Sequence, residues 1–216
     1  MGNWAKLNFW IIRLNCLNEK TAASARGDSA EDNEVELFKI NIMAYAVISY
    51  PEMNDTDYQM IQQYRKENDE LLFTVVEPHI TLVFPVFEMT ERDFIAEIED
   101  LSTDILQIDF VFRCAIINKD SFSDYYHALL APDEGFSRIV KLHDKFYGRS
   151  LKPYHRMDID FIPHLGIGTS KDKENCKRMV DEWNNKVFSI SGTISLLSIV
   201  RYDNNLIENI KEIRLK

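Results

Sequence analysis

The chain has 216 residues, of which 45% are apolar and 28% charged, and its formal net charge is −10. This balance is typical of a soluble globular protein, and no apolar run reaches the roughly 18 residues that a membrane-spanning helix needs. An acidic chain is a poor partner for duplex DNA, because nonspecific affinity comes from many Lys and Arg contacts to phosphates. A small phosphorylated ligand is not excluded, since salt screens distant surface charge over about 10 Å.

The cysteines Cys16, Cys114 and Cys176 are far apart and form no CxxC pair. Their odd number and spacing argue against a disulfide framework or a cysteine zinc site. We therefore expect free thiols in a reducing compartment. The apolar patch at residues 9–12 lacks the length and the cleavage site of a secretory signal, which predicts a cytoplasmic protein.

Residues 1–40 differ in composition from the rest of the chain. The stretch from Thr21 to Glu36 is rich in Ala, Ser, Asp, Asn and Glu and has little to bury, a composition typical of flexible segments. We expect a flexible N-terminal extension over residues 1–40, or a true start further in, at Met43. A single domain is predicted over residues 41–216.

From Met43 onward, periodic apolar patterns predict alternating strands and helices. Strands are predicted at residues 44–50, 74–85, 105–117, 125–131, 161–169, 187–202 and 207–215, the last two forming a hairpin turned at Asp203-Asn204-Asn205. Helices are predicted from Asn54 or Asp55 to about Asp69, from Thr90 with Asp93 completing a capping box, from Pro132 or Asp133 to about Tyr147, and from Ser170 to Trp183.

The predicted elements occur in the same order twice. Strand, helix, strand, helix, strand starts at Ala44 and recurs from Tyr125, and each half has a Pro-His strand after its first helix. This order predicts an internal duplication, with two pseudo-equivalent lobes facing each other.

The two Pro-His strands carry the strongest chemical signal. The first reads Pro78-His79-Ile80-Thr81-Leu82 and the second Pro163-His164-Leu165-Gly166-Ile167. Because residues i and i+2 of a strand point to one face, His79 shares its face with Thr81, and His164 with Gly166. Two such strands meeting at a pseudo-twofold axis would bring both imidazoles into one cleft.

Two imidazoles in one cleft suit phosphodiester chemistry. One neutral histidine can take a proton from the attacking hydroxyl or water, and one protonated histidine can give a proton to the leaving oxygen. An ordinary pKa near 6.5 lets both forms exist close to neutral pH. The hydroxyl of Thr81 can donate to a nonbridging phosphate oxygen. This scheme requires no metal and no cofactor.

Two H-x-[S/T]-x strand motifs, each after a proline, resemble those of the 2H phosphoesterases, whose best-known branch is the 2′-5′ RNA ligase-like proteins. The resemblance covers about residues 43–216: PHITLVFP matches fully, and YHALLAPDEGF and SIVRYDNN also look like the family. It implies an α+β fold, a bilobed pseudo-twofold domain with two antiparallel sheets flanking a central cleft and helices outside. It also implies hydrolysis of 2′,3′-cyclic or related phosphodiesters, or joining of RNA ends through a 2′-5′ bond.

By this resemblance His79 and His164 are catalytic and Thr81 is a phosphate ligand. Gly166 departs from the pattern, because the family has Ser or Thr there. Strand alternation puts Thr169 on the opposite face, so it does not substitute unless a bulge intervenes. Two explanations of Gly166 stay open: a plain loss of one donor, or a gap that makes room for a bulkier ligand or lets a backbone N–H approach the phosphate closely. We favour the second, since Gly168 would leave the same face bare.

Further candidate substrate ligands flank the motif strands. His155 and Arg156 belong to a basic and aromatic loop before the second motif and can line the cleft mouth, although a solvated loop is the plainer interpretation. Tyr45 can stack on a base or simply pack in the core. His127 and His143 are expected to be structural or on the surface.

The acidic residues near the second motif do not form a recognisable metal site. Asp158 and Asp160 could join the nearby histidines as ligands, but no strict metal-site spacing is present. The sequence therefore predicts no metal ligands.

Three functions stay open at this point. The first is a phosphoesterase acting on RNA ends or cyclic-phosphate nucleotides, which we expect to be a monomer. The second is a binding module of the same fold, catalytically weakened by Gly166. The third is an interaction protein that binds no nucleotide. Turnover of a 2′,3′-cyclic nucleotide separates the first from the others, and saturable binding separates the second from the third.

Overall fold

A computed structural model describes residues 43–121, 123–203 and 206–216. The predicted extension at residues 1–40 lies outside the described residues, as do Asn204 and Asn205 of the predicted turn. The helices of the described part are α1 (Asp55–Asn68), α2 (Glu91–Ser102), α3 (Phe136–Phe146) and α4 (Lys173–Asn184). Its strands are β1 (Ala44–Ser49), β2 (Glu52–Met53), β3 (Ile80–Val86), β4 (Ile108–Lys119), β5 (Tyr126–Glu134), β6 (Leu165–Ser170), β7 (Ile190–Ile194), β8 (Leu196–Asp203) and β9 (Leu206–Arg214). None of these helices is long and apolar enough to cross a membrane.

Two antiparallel sheets repeat one strand order. Sheet one has the order β3-β1-β8-β9, and sheet two has the order β6-β5-β4-β7-β2. In each sheet the Pro-His strand pairs with the first strand of its own half, and that strand pairs with a strand from the other half. The halves thus exchange strands and form a bilobed α+β domain, as expected.

Two of the four described helices begin at the predicted cap. The Asn54 side chain accepts a hydrogen bond from the Asp57 amide at 2.9 Å and begins α1. The Thr90 hydroxyl accepts one from the Asp93 amide at 3.2 Å and begins α2. The last helix begins after Asp172 and not after the predicted Ser170, because the Asp172 carboxylate accepts from an amide of the first turn.

Three further predictions about element bounds were wrong for identifiable reasons. The strand predicted at residues 74–85 begins only at Ile80, because a turn region precedes it. Residues 132–134 continue β5, and α3 begins after Gly135, which has the left-handed φ of 83°. Residues 187–202 were predicted as one strand, but the chain passes from sheet two to sheet one at Ser195.

Each Pro-His strand contains a bulge at the same position. In β3, Val47 pairs with Val83 while Ile48 pairs with Thr81, so Leu82 is the extra residue. In β6, Ala128 pairs with Gly168 while Leu129 pairs with Gly166, which makes Ile167 the extra residue. A bulge interrupts the alternation of faces, so residues on either side of it no longer follow the i, i+2 rule.

A helix from the opposite half covers each Pro-His strand. α3 packs on β3, and α1 packs on β6. Because β3 is an edge strand, its outer backbone groups need partners. Tyr147 Oη accepts from the Phe84 amide at 2.9 Å, and His143 Nδ1 donates to the Leu82 carbonyl at 2.9 Å. These contacts fix the first motif strand between its sheet and α3.

Gly168 lets α1 and α4 approach β6. A Cβ at this position would lie 2.6 Å from Met179 Sδ and 3.1 Å from the Asn68 carbonyl oxygen. At Gly166, two residues earlier, an added Cβ would meet no atom within 4 Å. The two glycines therefore have opposite steric surroundings.

We expect Gly168→Ala to lower the free energy of unfolding by about 1–3 kcal/mol, the usual cost of overpacking a well-filled site. Gly166→Ala is the matched control and should leave stability unchanged or slightly higher, since it restricts the unfolded chain without a clash. Urea unfolding of both variants measures the difference. Equal losses in the two variants would contradict the described packing of α1 on β6.

Candidate active site

A cleft of about 220 Å³ lies between the two sheets, and both motif histidines line it. Its walls come from β1, β3 and β8 of sheet one and from β4, β5 and β6 of sheet two, together with the loops before each motif strand. Other positions considered from the sequence also line it, among them Thr81, Arg156, Gly166, Gly168 and Thr169. The fold therefore brings the two Pro-His motifs together.

The two imidazoles are held in the same way. His79 Nδ1 lies 2.8 Å from the carbonyl oxygen of Glu77, and His164 Nδ1 lies 2.6 Å from that of Ile162. In both cases the acceptor is the carbonyl two residues earlier. Because a carbonyl only accepts, this contact assigns the proton to Nδ1. Nε2 is then the nitrogen that can exchange a proton with a ligand.

Burial keeps both imidazoles neutral in the ligand-free cleft. Burial is the main reason that the pKa of His79 falls from 6.5 to about 4; the hydrogen bond to the Glu77 carbonyl opposes this fall, and the nearby His164 adds to it. Burial also lowers the pKa of His164, with a smaller contribution in the same direction from His127. An anionic phosphate bound between the rings would oppose these effects, because a negative charge favours the protonated imidazole.

The bulges decide which side chains accompany the histidines. Thr81 precedes the bulge of β3, and Gly166 occupies the equivalent position of β6. The expectation that Gly168 leaves the same face bare was wrong, because its Cβ direction is filled by α1 and α4. Thr169 does reach the cleft side, since the bulge at Ile167 shifts the alternation. Its hydroxyl is committed, however: it donates to Asp69 Oδ1 at 2.9 Å and accepts from the Leu71 amide.

Of the remaining candidates, the structure brings only Arg156 to the cleft. Its guanidinium pairs with Asp158, with Nε 2.6 Å from Oδ1. His155 is not among the lining residues and stacks on Tyr147, with ring centroids 4.5 Å apart. Tyr45 is also absent from the lining: it is 5% exposed and packs against Phe94. Neither His155 nor Tyr45 is therefore placed to contact a ligand in the cleft.

His127 is a cleft residue that the sequence did not single out. It is 8% exposed, lines the cleft, and its Nε2 lies 3.3 Å from Asp120 Oδ2. It shares a face of β5 with Leu129, the cross-strand partner of Gly166. The pairing of β5 with β6 places His127 beside the second motif, and this pairing between distant strands cannot be read from the sequence.

A buried ion pair supports the loop that is bonded to Thr169, the cross-strand partner of His127. Arg65 is 2% exposed, and its Nη2 lies 3.2 Å from Asp69 Oδ2 and donates to the Val76 carbonyl at 2.8 Å. These contacts fix the loop between α1 and β3. The loop contributes an apolar surface to the cleft, formed by Leu71, Leu72, Val75 and Val76.

One group of side chains in the described ranges has the composition of a metal site. The ligand atoms of His143, Asp144 and His155 lie within 4.8 Å of one another. None of the three lines the cleft. The acidic residues considered from the sequence, Asp158 and Asp160, are not part of this group.

The comparisons with known proteins agree with this geometry. The sequence profile of the 2′-5′ RNA ligase superfamily matches residues 51–206. No curated protein matches the chain significantly.

Several solved structures share the fold. The crystal structure of E. coli LigT complexed with 3′-AMP superposes with a TM-score of 0.54 at 10% identity, covering 82% of this chain and 98% of LigT. E. coli LigT complexed with NADP⁺ superposes with a TM-score of 0.52 at 10% identity, covering 81% of this chain and 98% of LigT. E. coli LigT complexed with ATP superposes with a TM-score of 0.51 at 10% identity, covering 81% of this chain and 99% of LigT.

At such low identity these structures support the fold alone, but the profile spans most of the domain and both Pro-His motifs. The resemblance found in the sequence is thereby confirmed: the chain belongs to the 2′-5′ RNA ligase superfamily of phosphoesterases and RNA ligases.

Proposed function

We propose that this protein hydrolyses 2′,3′-cyclic or related phosphodiesters of nucleotides or RNA ends, with His79 and His164 as its acid and base. The observation that carries the proposal is the pair of imidazoles in one cleft, each with Nδ1 bonded to the carbonyl two residues earlier. The same fold in E. coli LigT has been crystallised with 3′-AMP and with ATP, which supports a nucleotide ligand.

The reaction needs one proton to enter and one to leave. The neutral imidazole accepts a proton at Nε2 from water as the water oxygen bonds to phosphorus. The protonated imidazole donates from Nε2 to the ester oxygen as its bond to phosphorus breaks. Each positioned acid or base contributes about 10²–10⁴-fold in rate. No step in this scheme uses a metal ion.

Substrate binding supplies the protonated histidine. Burial lowers the pKa of both imidazoles in the free protein. The protonated form of each is therefore less populated there. A phosphodiester anion between them raises both pKa values by charge attraction. Thr81 can then donate its hydroxyl to a nonbridging oxygen, and the apolar loop after α1 offers a surface for a nucleobase.

The pKa of His79 predicts a pH dependence of stability. A histidine whose folded-state pKa of about 4 lies below the unfolded value of 6.5 takes up fewer protons in the folded state between those pH values. Stability is therefore complete above 6.5 and falls as the pH drops toward 4. We expect a smaller drop of the melting temperature between pH 7 and pH 4.5 in His79→Asn. Histidine NMR showing an ordinary His79 pKa near 6.5 would refute this account.

His79→Ala and His164→Ala should each lower turnover of a nucleoside 2′,3′-cyclic phosphate by a factor of about 10² or more. The loss of turnover in the double variant should be smaller than the product of the two single losses, because the pair acts as a unit. Assays with EDTA, well below the unfolding temperature, should give the same rates. Near wild-type turnover in either folded single variant would rule out the assignment, and saturable nucleotide binding without turnover would favour the binding module.

Gly166→Thr tests the missing hydroxyl of the second motif. The position has room for side-chain atoms, and it corresponds to Thr81. The favoured room-making explanation rested on a bare face at Gly168, where α1 and α4 in fact fill the space. We therefore now expect the threonine to restore a donor and raise turnover by up to about 10²-fold, the effect of one charge-stabilising donor. Gly166→Ala adds bulk without a hydroxyl and is the control. Reduced binding in both variants would instead show that Gly166 makes room for the ligand.

A further inference from the structure

His143 is buried behind the first motif strand with one nitrogen committed. It is 1% exposed and stacks on Phe161, with ring centroids 3.6 Å apart and an interplanar angle of 7°. Its Nδ1 donates to the Leu82 carbonyl at 2.9 Å. Nε2 therefore holds a lone pair, and among the described residues it has no hydrogen-bond partner.

Two neighbouring side chains also offer ligand atoms close to the His143 ring. Those of His143, Asp144 and His155 all lie within 4.8 Å of one another. The two imidazole centroids are 5.3 Å apart with an interplanar angle of 68°. With metal–nitrogen bonds of about 2.0–2.1 Å, two imidazoles on one tetrahedral ion have ring centres about 5 Å apart. Asp144 is exposed, which leaves a path for an ion to enter.

We propose that His143 Nε2, His155 and Asp144 bind a divalent transition-metal ion of the Zn²⁺ type. Two imidazoles and a carboxylate are donors that such ions accept. The Leu82 carbonyl plays the usual role of the outer partner, since a metal-binding histidine normally donates its other N–H to a carbonyl or carboxylate.

The state of the His143 ring fits this role. The bond to the Leu82 carbonyl places a proton on Nδ1, which leaves Nε2 as the ring nitrogen available to a metal ion. Packing alone does not account for a histidine here. The bond to the Leu82 carbonyl accounts for Nδ1, but the buried Nε2 has no partner among the described residues.

The ion would be structural. It would join α3 to the loop that carries Arg156, and through the Leu82 carbonyl it would support the strand of the first motif. None of its three ligands lines the cleft. The acid and base chemistry of His79 and His164 therefore does not pass through it, and the two proposals can fail separately.

Zn²⁺ titration of the EDTA-treated and dialysed full chain tests the site, with calorimetry for stoichiometry and the visible absorption of Co²⁺ for geometry. We expect one ion per chain. His155→Ala should weaken binding by at least about tenfold, the smallest effect usually seen even for outer-shell partners, and Asp144→Asn should also weaken it. His79→Ala and His164→Ala are the matched histidine controls and should bind as the wild type does.

Thermal unfolding provides the second measurement. The melting temperature should rise with Zn²⁺ concentration, because the ion binds the folded chain, and His155→Ala should abolish the rise. This variant carries the test even if a change at the buried His143 prevents folding, since His155 is only partly buried. Absence of binding, or binding lost in His164→Ala and retained in His155→Ala, would overturn the proposal.

Discussion

The cleft depends on one hydrogen bond that occurs in both halves, from an imidazole Nδ1–H to the carbonyl two residues earlier. The bond fixes the tautomer and the ring orientation of His79 and of His164. Each motif strand starts immediately after its histidine, so the backbone holding the ring is anchored by the sheet. In the proposed reaction this arrangement would hold the two Nε2 atoms in place before substrate binds, which would reduce the cost of ordering them.

Strand exchange explains how the two halves of the chain form one cleft. β8 completes the sheet of the first motif, β4 completes that of the second, and each motif strand is covered by a helix from the other half. Neither half could bury its apolar surfaces alone in this arrangement. The same exchange encloses the histidines between the two sheets, and the resulting desolvation lowers the pKa of both.

The sequence was sufficient for features that depend on local chemistry. The caps Asn54 and Thr90, the repeated order of elements and the two Pro-His motifs all follow from short-range patterns. Features that depend on pairing between distant strands could not be predicted. Strand alternation misplaced Gly168, because only the register with β5 reveals the bulge at Ile167. His127 was missed for the same reason.

The central claim is that the two imidazoles hold one phosphate between them. It is tested most directly by following the ¹⁵N chemical shifts of His79 and His164 during a titration with inorganic phosphate at neutral pH. The account predicts that both Nε2 signals move toward the protonated value with one shared dissociation constant. Movement of only one of the two signals, or of neither at saturating phosphate, would contradict it.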